Sequence, residues 1–174
     1  MDNLTPVEYA IVELIEKKNV IDGKKVFQKL CYFVQETQGC PLGLTFRMQR
    51  FGPYSDELDD LADGLALRSV LDIEDRGESG YRISLGENAP AGVVSSASAA
   101  IGNVLNSVGN EGGLTLELLA SLHFLANRKS SSGSQPTADD LVQGIAAWKG
   151  RKFEDGFVRK NIERLQELGY IDSQ

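Results

Sequence analysis

Histidine occurs once, tryptophan once and cysteine twice in 174 residues. The lone His123 removes His-rich metal sites and leaves little room for His-dependent catalysis. Cys31 and Cys40 do not form a C-x-x-C, and no spacing resembles a zinc site. No apolar run approaches the roughly 20 residues that a transmembrane helix needs. Met1-Asp2-Asn3-Leu4 carries no basic n-region. A secretion signal is therefore not visible, and a reducing cytoplasm with two free thiols is the expected setting. Positive charge is also short: 18 Lys and Arg face 25 Asp and Glu, a formal net charge of −7. That excess opposes non-specific contact with nucleic acid and anionic lipid. What is present, 41% hydrophobic and 25% charged residues, is ordinary for a folded chain and excludes wholesale disorder. The length suits one domain, or two small ones in contact.

Helix signals are clear. Thr5-Pro6-Val7-Glu8 is a capping box with proline at the first helical position, and Val7, Ala10, Ile11, Leu14 and Ile15 follow on one face. Asp22-Gly23 reads as the next cap, opening an apolar helix over 24–37 through Val26, Phe27, Leu30, Phe33 and Val34. Residues 44–51 alternate like a short strand, and Gly52-Pro53 reads as a turn. Ser55 caps an acidic helix whose buried stripe is Leu58, Leu61, Ala62 and Leu65. Strand-like Val70–Ile73 and Tyr81–Leu85 flank a polar, glycine-containing turn, which reads as a hairpin. Three helices and a two-stranded hairpin form the winged-helix pattern. A Gly/Pro/Asn/Ala connector at 87–92 separates the units 1–86 and 93–174. The second unit reads as helices over 93–108, 114–127, after a Thr137-x-x-Asp140 box, and 155–168. Residues 130–136 form a Ser-rich loop. A faint echo between 65–73 and 165–171 suggests a second winged-helix-like unit without a full wing.

Signals for chemistry are sparse. Neither cysteine has a histidine near it, and His123 sits in an apolar helix as a packed side chain. There is no P-loop, and Gly109-Asn110-Glu111-Gly112-Gly113 lies between helices and carries an acid, which makes a poor phosphate cradle. Of Asp56, Glu57, Asp59, Asp60 and Asp63 most fall on the outer face of their helix, where they read as a solvated face or as a docking surface for a basic partner, and least readily as a metal site. The same acids would repel phosphate if this helix occupied a recognition position. Lys149, Arg151, Lys152, Arg159, Lys160 and Arg164 form a C-terminal cationic group, the alternative being DNA contact.

Two strings carry a resemblance: Lys29-Leu30-Cys31-Tyr32-Phe33-Val34-Gln35, and Phe51-Gly52-Pro53-Tyr54-Ser55. A helix K-L-x-Y-h-h-Q, an extended run into an aromatic-Gly-Pro turn and an acidic helix are similar to the Panacea/SocA-like antitoxin domain. They resemble more closely the YwgA-like family of uncharacterised bacterial proteins, a likeness that Leu116-Glu117-Leu118-Leu119-Ala120-Ser121, Trp148-Lys149 and the Leu-Gly-Tyr-Ile end extend. The Panacea resemblance implies a non-catalytic, toxin-neutralising protein-binding domain; the YwgA-like one implies no activity. Both imply a scaffold role for Lys29, Tyr32, Phe33, Gln35, Gly52, Pro53 and Tyr54. Tyr54 departs from the small apolar residue that often follows Gly-Pro in Panacea-type sequences.

The sequence thus predicts a mainly α chain with a small β-hairpin, a winged-helix-like unit packed on a helical unit. The expected function is a non-catalytic, antitoxin-like interaction module, not an enzyme, with no metal and no cofactor. Its expected partner is a basic protein, with no membrane; a homodimer fits too. The alternative is a winged-helix DNA-binding transcriptional regulator using the cationic group.

Overall fold

Helix α1 (Pro6–Lys18) starts at the capping box: Glu8 N donates to Thr5 Oγ1, and Thr5 N donates to Glu8 Oε2 at 2.7 Å. The computed structural model describes residues 3–173. Strand β1 (Val20–Asp22) follows directly, and α2 spans Lys24–Thr37. Asp22 does not cap α2. The N-cap is Gly23, and Asp22 lies in β1 with its carboxylate on Arg82 at 2.8 Å. Strand β1 leaves no trace in the sequence pattern because three residues are too few to show a period of two.

Strands β2 (Arg47–Gln49) and β3 (Gly52–Tyr54) pair antiparallel, Met48 opposite Pro53. The turn therefore falls at Arg50-Phe51, and Gly52-Pro53 belongs to a strand. Helix α3 (Asp56–Leu67) begins at Ser55, whose side chain accepts from Leu58 N. Strands β4 (Leu71–Asp75) and β5 (Tyr81–Leu85) form the expected hairpin, and β1 joins the other edge of β5, giving the antiparallel order β1-β5-β4. Register places buried Ile21 against buried Ile83.

Helix α4 (Ser98–Val108) starts later than the apolar pattern suggests, and Val94 is left in solvent. The cause is Glu13. Its carboxylate accepts from Ser95 N, Ser95 Oγ and Ser98 Oγ, which holds the chain off the helix until Ser98. Helix α5 (Gly113–Ser131) runs into the Ser-rich stretch, so the irregular segment is shorter than expected. Helix α6 (Ala138–Lys149) opens on a capping box of Thr137 and Asp140, and α7 spans Asp155–Glu167. After α7 the described residues form no strand, and Tyr170 instead packs its ring 5.7 Å from that of Phe33.

Mainly helical structure with two small sheets is thus the architecture, and α2 and α5 lie at its centre. One hydrophobic cluster takes side chains from both halves, from Ile11 and Phe33 to Leu119 and Leu165. The 87–92 connector is pinned to the first half: Asn88 N donates to Ser69 O, and Gly92 N donates to Glu16 Oε1. Among the described residues no helix is long and apolar enough to cross a membrane.

Candidate functional site

The polar side chains of α2 organise the segment after it. Gln35 accepts from Leu42 N and Leu44 N and donates to Leu44 O. Gln28 brackets Ser55, accepting from its N–H at 3.0 Å and donating to its carbonyl at 2.9 Å. Lys29 donates to Pro53 O at 2.8 Å. These bonds replace water for backbone groups that burial would otherwise orphan. They also draw the β2–β3 hairpin down onto α2 and α5. Gly52 is where the approach is closest. Its φ is +90°, and a Cβ there would sit 2.8 Å from Ser121 Oγ and 3.3 Å from Glu117 O.

Around that approach lies the densest charge cluster among the described residues. Glu117, on α5, has a fully buried side chain. Its carboxylate takes Lys25 Nζ at 3.0 Å, Lys149 Nζ at 3.0 Å, and Lys152 Nζ at 2.7 and 2.9 Å. Lys29 is buried behind them and feels the same carboxylate. Three lysines thus share one carboxylate, with a fourth buried near it, so the cluster carries excess positive charge within a protein of net charge −7. Burial alone would raise the Glu117 carboxyl, but the hydrogen bonds from Lys152, Lys25 and Lys149 outweigh it and hold the group at about 2. Burial pushes Lys29 down to about 7, against the pull of Glu117 and with the push of Lys149 and Lys25. Lys149, with 2% of its side chain exposed, is lowered by the same burial and also donates to Arg50 O.

Lys25 and Lys152 keep about a third of their side chains in solvent. Between them stands Phe51, 48% exposed at the tip of the hairpin. Lys25 Nζ, Lys152 Nζ and the Arg50 guanidinium lie 5.3, 5.1 and 5.3 Å from its ring centroid. Lys152 also lies over Phe153, whose ring stacks on that of Phe157. An ionised carboxylate capped by three ammoniums cannot serve as a proton donor. Glu117 is a positioning group, and the surface it builds suits an anion next to an aromatic face.

The structure divides the cationic group expected from the sequence. Lys149 and Lys152 join Glu117. Arg159 pairs with Asp139, and Arg164 reaches Glu111 at 2.6 Å and Ser107 O at 3.1 Å. Arg151 and Lys160 are exposed. In the acidic helix Asp56, Glu57, Asp60 and Asp63 are exposed, while Asp59 lies 3.6 Å from Lys24 Nζ. Burial, followed by the Asp59 hydrogen bond, raises the Tyr54 hydroxyl. Lys29 holds the hairpin through Pro53 O, Gly52 and Pro53 lie in β3, Gln35 holds Leu42 and Leu44 ahead of it, and Phe33 packs edge-on against Tyr32. His123 is 2% exposed, as its apolar helix implied, and its Nδ1 lies 2.7 Å from Tyr32 Oη. Burial brings it down to about 4, so it is neutral at pH 7 and shares a hydrogen bond with the Tyr32 hydroxyl. Among the described residues no group of three or more His, Cys, Asp or Glu is placed to hold a metal.

Lys25, Phe51 and Glu117 do not stand out as a site in the sequence. A signal did exist for Glu117: a carboxylate inside Leu116-Glu117-Leu118-Leu119, apolar on every side, requires a buried cation.

No known family profile matches the chain. Two curated proteins named DNA ADP-ribosyl glycohydrolase do match it, from Mycobacterium bovis (strain BCG / Pasteur 1173P2) and Mycobacterium tuberculosis (strain ATCC 25618 / H37Rv). Each is 31% identical over 154 residues, covering 79% of this chain and 42% of the relative. The chain therefore spans less than half the length of the curated relatives it matches. Their name is that of a hydrolase, and it overturns three expectations: the non-catalytic antitoxin-like module, the DNA-binding regulator offered as its alternative, and the absence of enzymatic function. The matches do not bear on the YwgA-like or Panacea resemblance.

Proposed function

We propose that this chain belongs to a hydrolase acting on ADP-ribosylated DNA, and that the lysine cluster on Glu117 is where the chain meets the anionic part of that substrate. The match to two proteins of that name over 79% of the chain carries the reading. The electrostatics support it. A DNA strand and the pyrophosphate of ADP-ribose are both polyanions, and a local cationic surface on an acidic protein directs such a ligand to one place. Buried Glu117 and Lys149 fix the cluster from behind, and the partly exposed Lys25 and Lys152 are the groups able to turn toward phosphate. Cleavage of the bond between ribose and DNA passes through a cationic, oxocarbenium-like sugar, with water as the acceptor. The residues named here bind and orient the phosphates; no proton step is assigned to them.

The finer architecture belongs to the same proposal. Residues 1–86 make a winged-helix-like unit and 93–174 a helical unit packed on it. The antiparallel sheet β1-β5-β4 beside α1, α2 and α3 supports this reading.

Incubation of the protein with ADP-ribosylated DNA, followed by mass-spectrometric detection of free ADP-ribose, tests the activity. Release is expected, reduced about tenfold at 0.15 M salt in a Lys25→Gln, Lys152→Gln double variant. Intact substrate after long incubation with the folded protein overturns the reading.

A further inference from the structure

We infer that Phe51 is a stacking platform for a nucleobase whose adjoining phosphate is taken by Lys25 and Lys152. The inference deepens the reading above and rests on it for the identity of the ligand. Its structural basis is separate. A large aromatic side chain at a hairpin tip would ordinarily fold back onto the core. This one is held out, 48% exposed, because the adjacent Gly52 is locked against Ser121 and Glu117, and Lys149 grips the carbonyl of Arg50. The ring is thus presented by a turn secured on both sides, without the ordering cost that a free loop would bring to binding.

Its surroundings have the composition that a nucleotide requires. Three cations lie within 5.3 Å of the ring centroid. Two of them, Lys25 and Lys152, share a carboxylate that Lys149 already neutralises, which leaves positive charge over for a phosphate. The cations stand over the ring, so a phosphate that draws Lys25 and Lys152 aside bares the face to its base; every base has a π-face, so the platform is indifferent to sequence. The partly exposed Phe157, linked through the Phe153 ring to Lys152, continues the same alternation of aromatic and cationic groups. Base and phosphate could come from the DNA strand itself or from the adenosine end of ADP-ribose. The chemistry is common to both.

The test is a binding titration with two probes: a fluorescein-labelled thymidine decamer followed by anisotropy, and unlabelled ADP-ribose followed by calorimetry. The probe that binds identifies the source. Phe51→Ala is expected to weaken that probe on the order of tenfold, while Phe51→Trp retains it. Lys25→Gln with Lys152→Gln should flatten the decamer's salt slope by about 0.7 for each phosphate that is no longer neutralised. Phe51→Trp keeps a ring under the three cations and should keep the wild-type melting temperature. Equal affinity of wild type and Phe51→Ala for both probes overturns the platform, as does wild-type protein that binds neither. Release of ADP-ribose, measured separately, keeps the two readings apart. A platform lost with release intact leaves the hydrolase standing; a platform present without release leaves only the subsite.

Discussion

Glu117 shows how a single side chain can set the character of a surface. It is buried, ionised and bonded to three lysines, two of which reach solvent. Removing one partner of a buried ion pair strands the others, at about 3–5 kcal/mol. Glu117→Gln should therefore lower the melting temperature by about 6–20 °C. A fall of only a degree or two would show that the lysines find water instead. Lys29 makes a different test. It titrates near 7 when folded against an ordinary 10.5, because burial penalises its charge. Between those values the unfolded chain binds more protons than the folded one, so stability rises as pH increases from about 7 to 10.5. Urea unfolding at pH 6, 8 and 10 should show that rise in the wild type and its loss in Lys29→Met. At Gly52 the geometry leaves no room for a side chain. Its φ is +90° and Ser121 Oγ lies 2.8 Å from where a Cβ would sit, so Gly52→Ala should cost about 2 kcal/mol in denaturant unfolding.

At the scale of elements, the legible parts were those governed by neighbours in sequence. The capping boxes of α1 and α6, the Ser55 cap and the β4–β5 hairpin each lie within a few residues of their own signals. Ser55→Ala should cost about 1 kcal/mol by leaving Leu58 N unpartnered. An unchanged midpoint would mean that the bonds of the Gln28 side chain to the Ser55 backbone alone hold the start of α3. The illegible parts depend on partners far along the chain. Strand β1 exists because β5, some sixty residues later, supplies its hydrogen bonds. The delayed start of α4 is the work of Glu13, and the strand character of Gly52-Pro53 follows from Lys29 holding Pro53 O. Hydrophobic periodicity reports which face a helix buries. It does not report where a distant carboxylate interrupts it.

For the whole molecule, one continuous core joins the two halves, and the connector is bonded back onto α1 and the end of α3. A single cooperative unfolding transition is expected in calorimetry, and two separated transitions would contradict the shared core. Acid should unfold the protein progressively. His123 is held neutral by burial down to about 4 rather than the usual 6.5, and Glu117 and Glu13 stay ionised down to about 2. In each case the unfolded chain takes up protons first as pH falls, so stability is lost from about pH 6.5 downward, first through His123 and then through the carboxylates. His123→Leu should flatten the loss between pH 6.5 and 4 while costing about 1–3 kcal/mol near neutrality, because the buried Tyr32 hydroxyl loses its hydrogen-bond partner.

By itself the amino-acid sequence determined the mainly helical character, the caps, the hairpin and the buried place of His123, because each follows from local spacing and from the cost of exposing apolar faces. It also carried the likeness to DNA ADP-ribosyl glycohydrolases, which no motif within it announced. Only the tertiary structure decided which charges meet. Lys25 and Lys29 on α2, Glu117 on α5, Lys149 at the end of α6, Lys152 beyond it and Phe51 on a hairpin are far apart in the chain, yet they gather around one carboxylate and one ring. Burial makes that assembly obligatory. A carboxylate inside an apolar helix must find cations wherever the packing of the helices brings them.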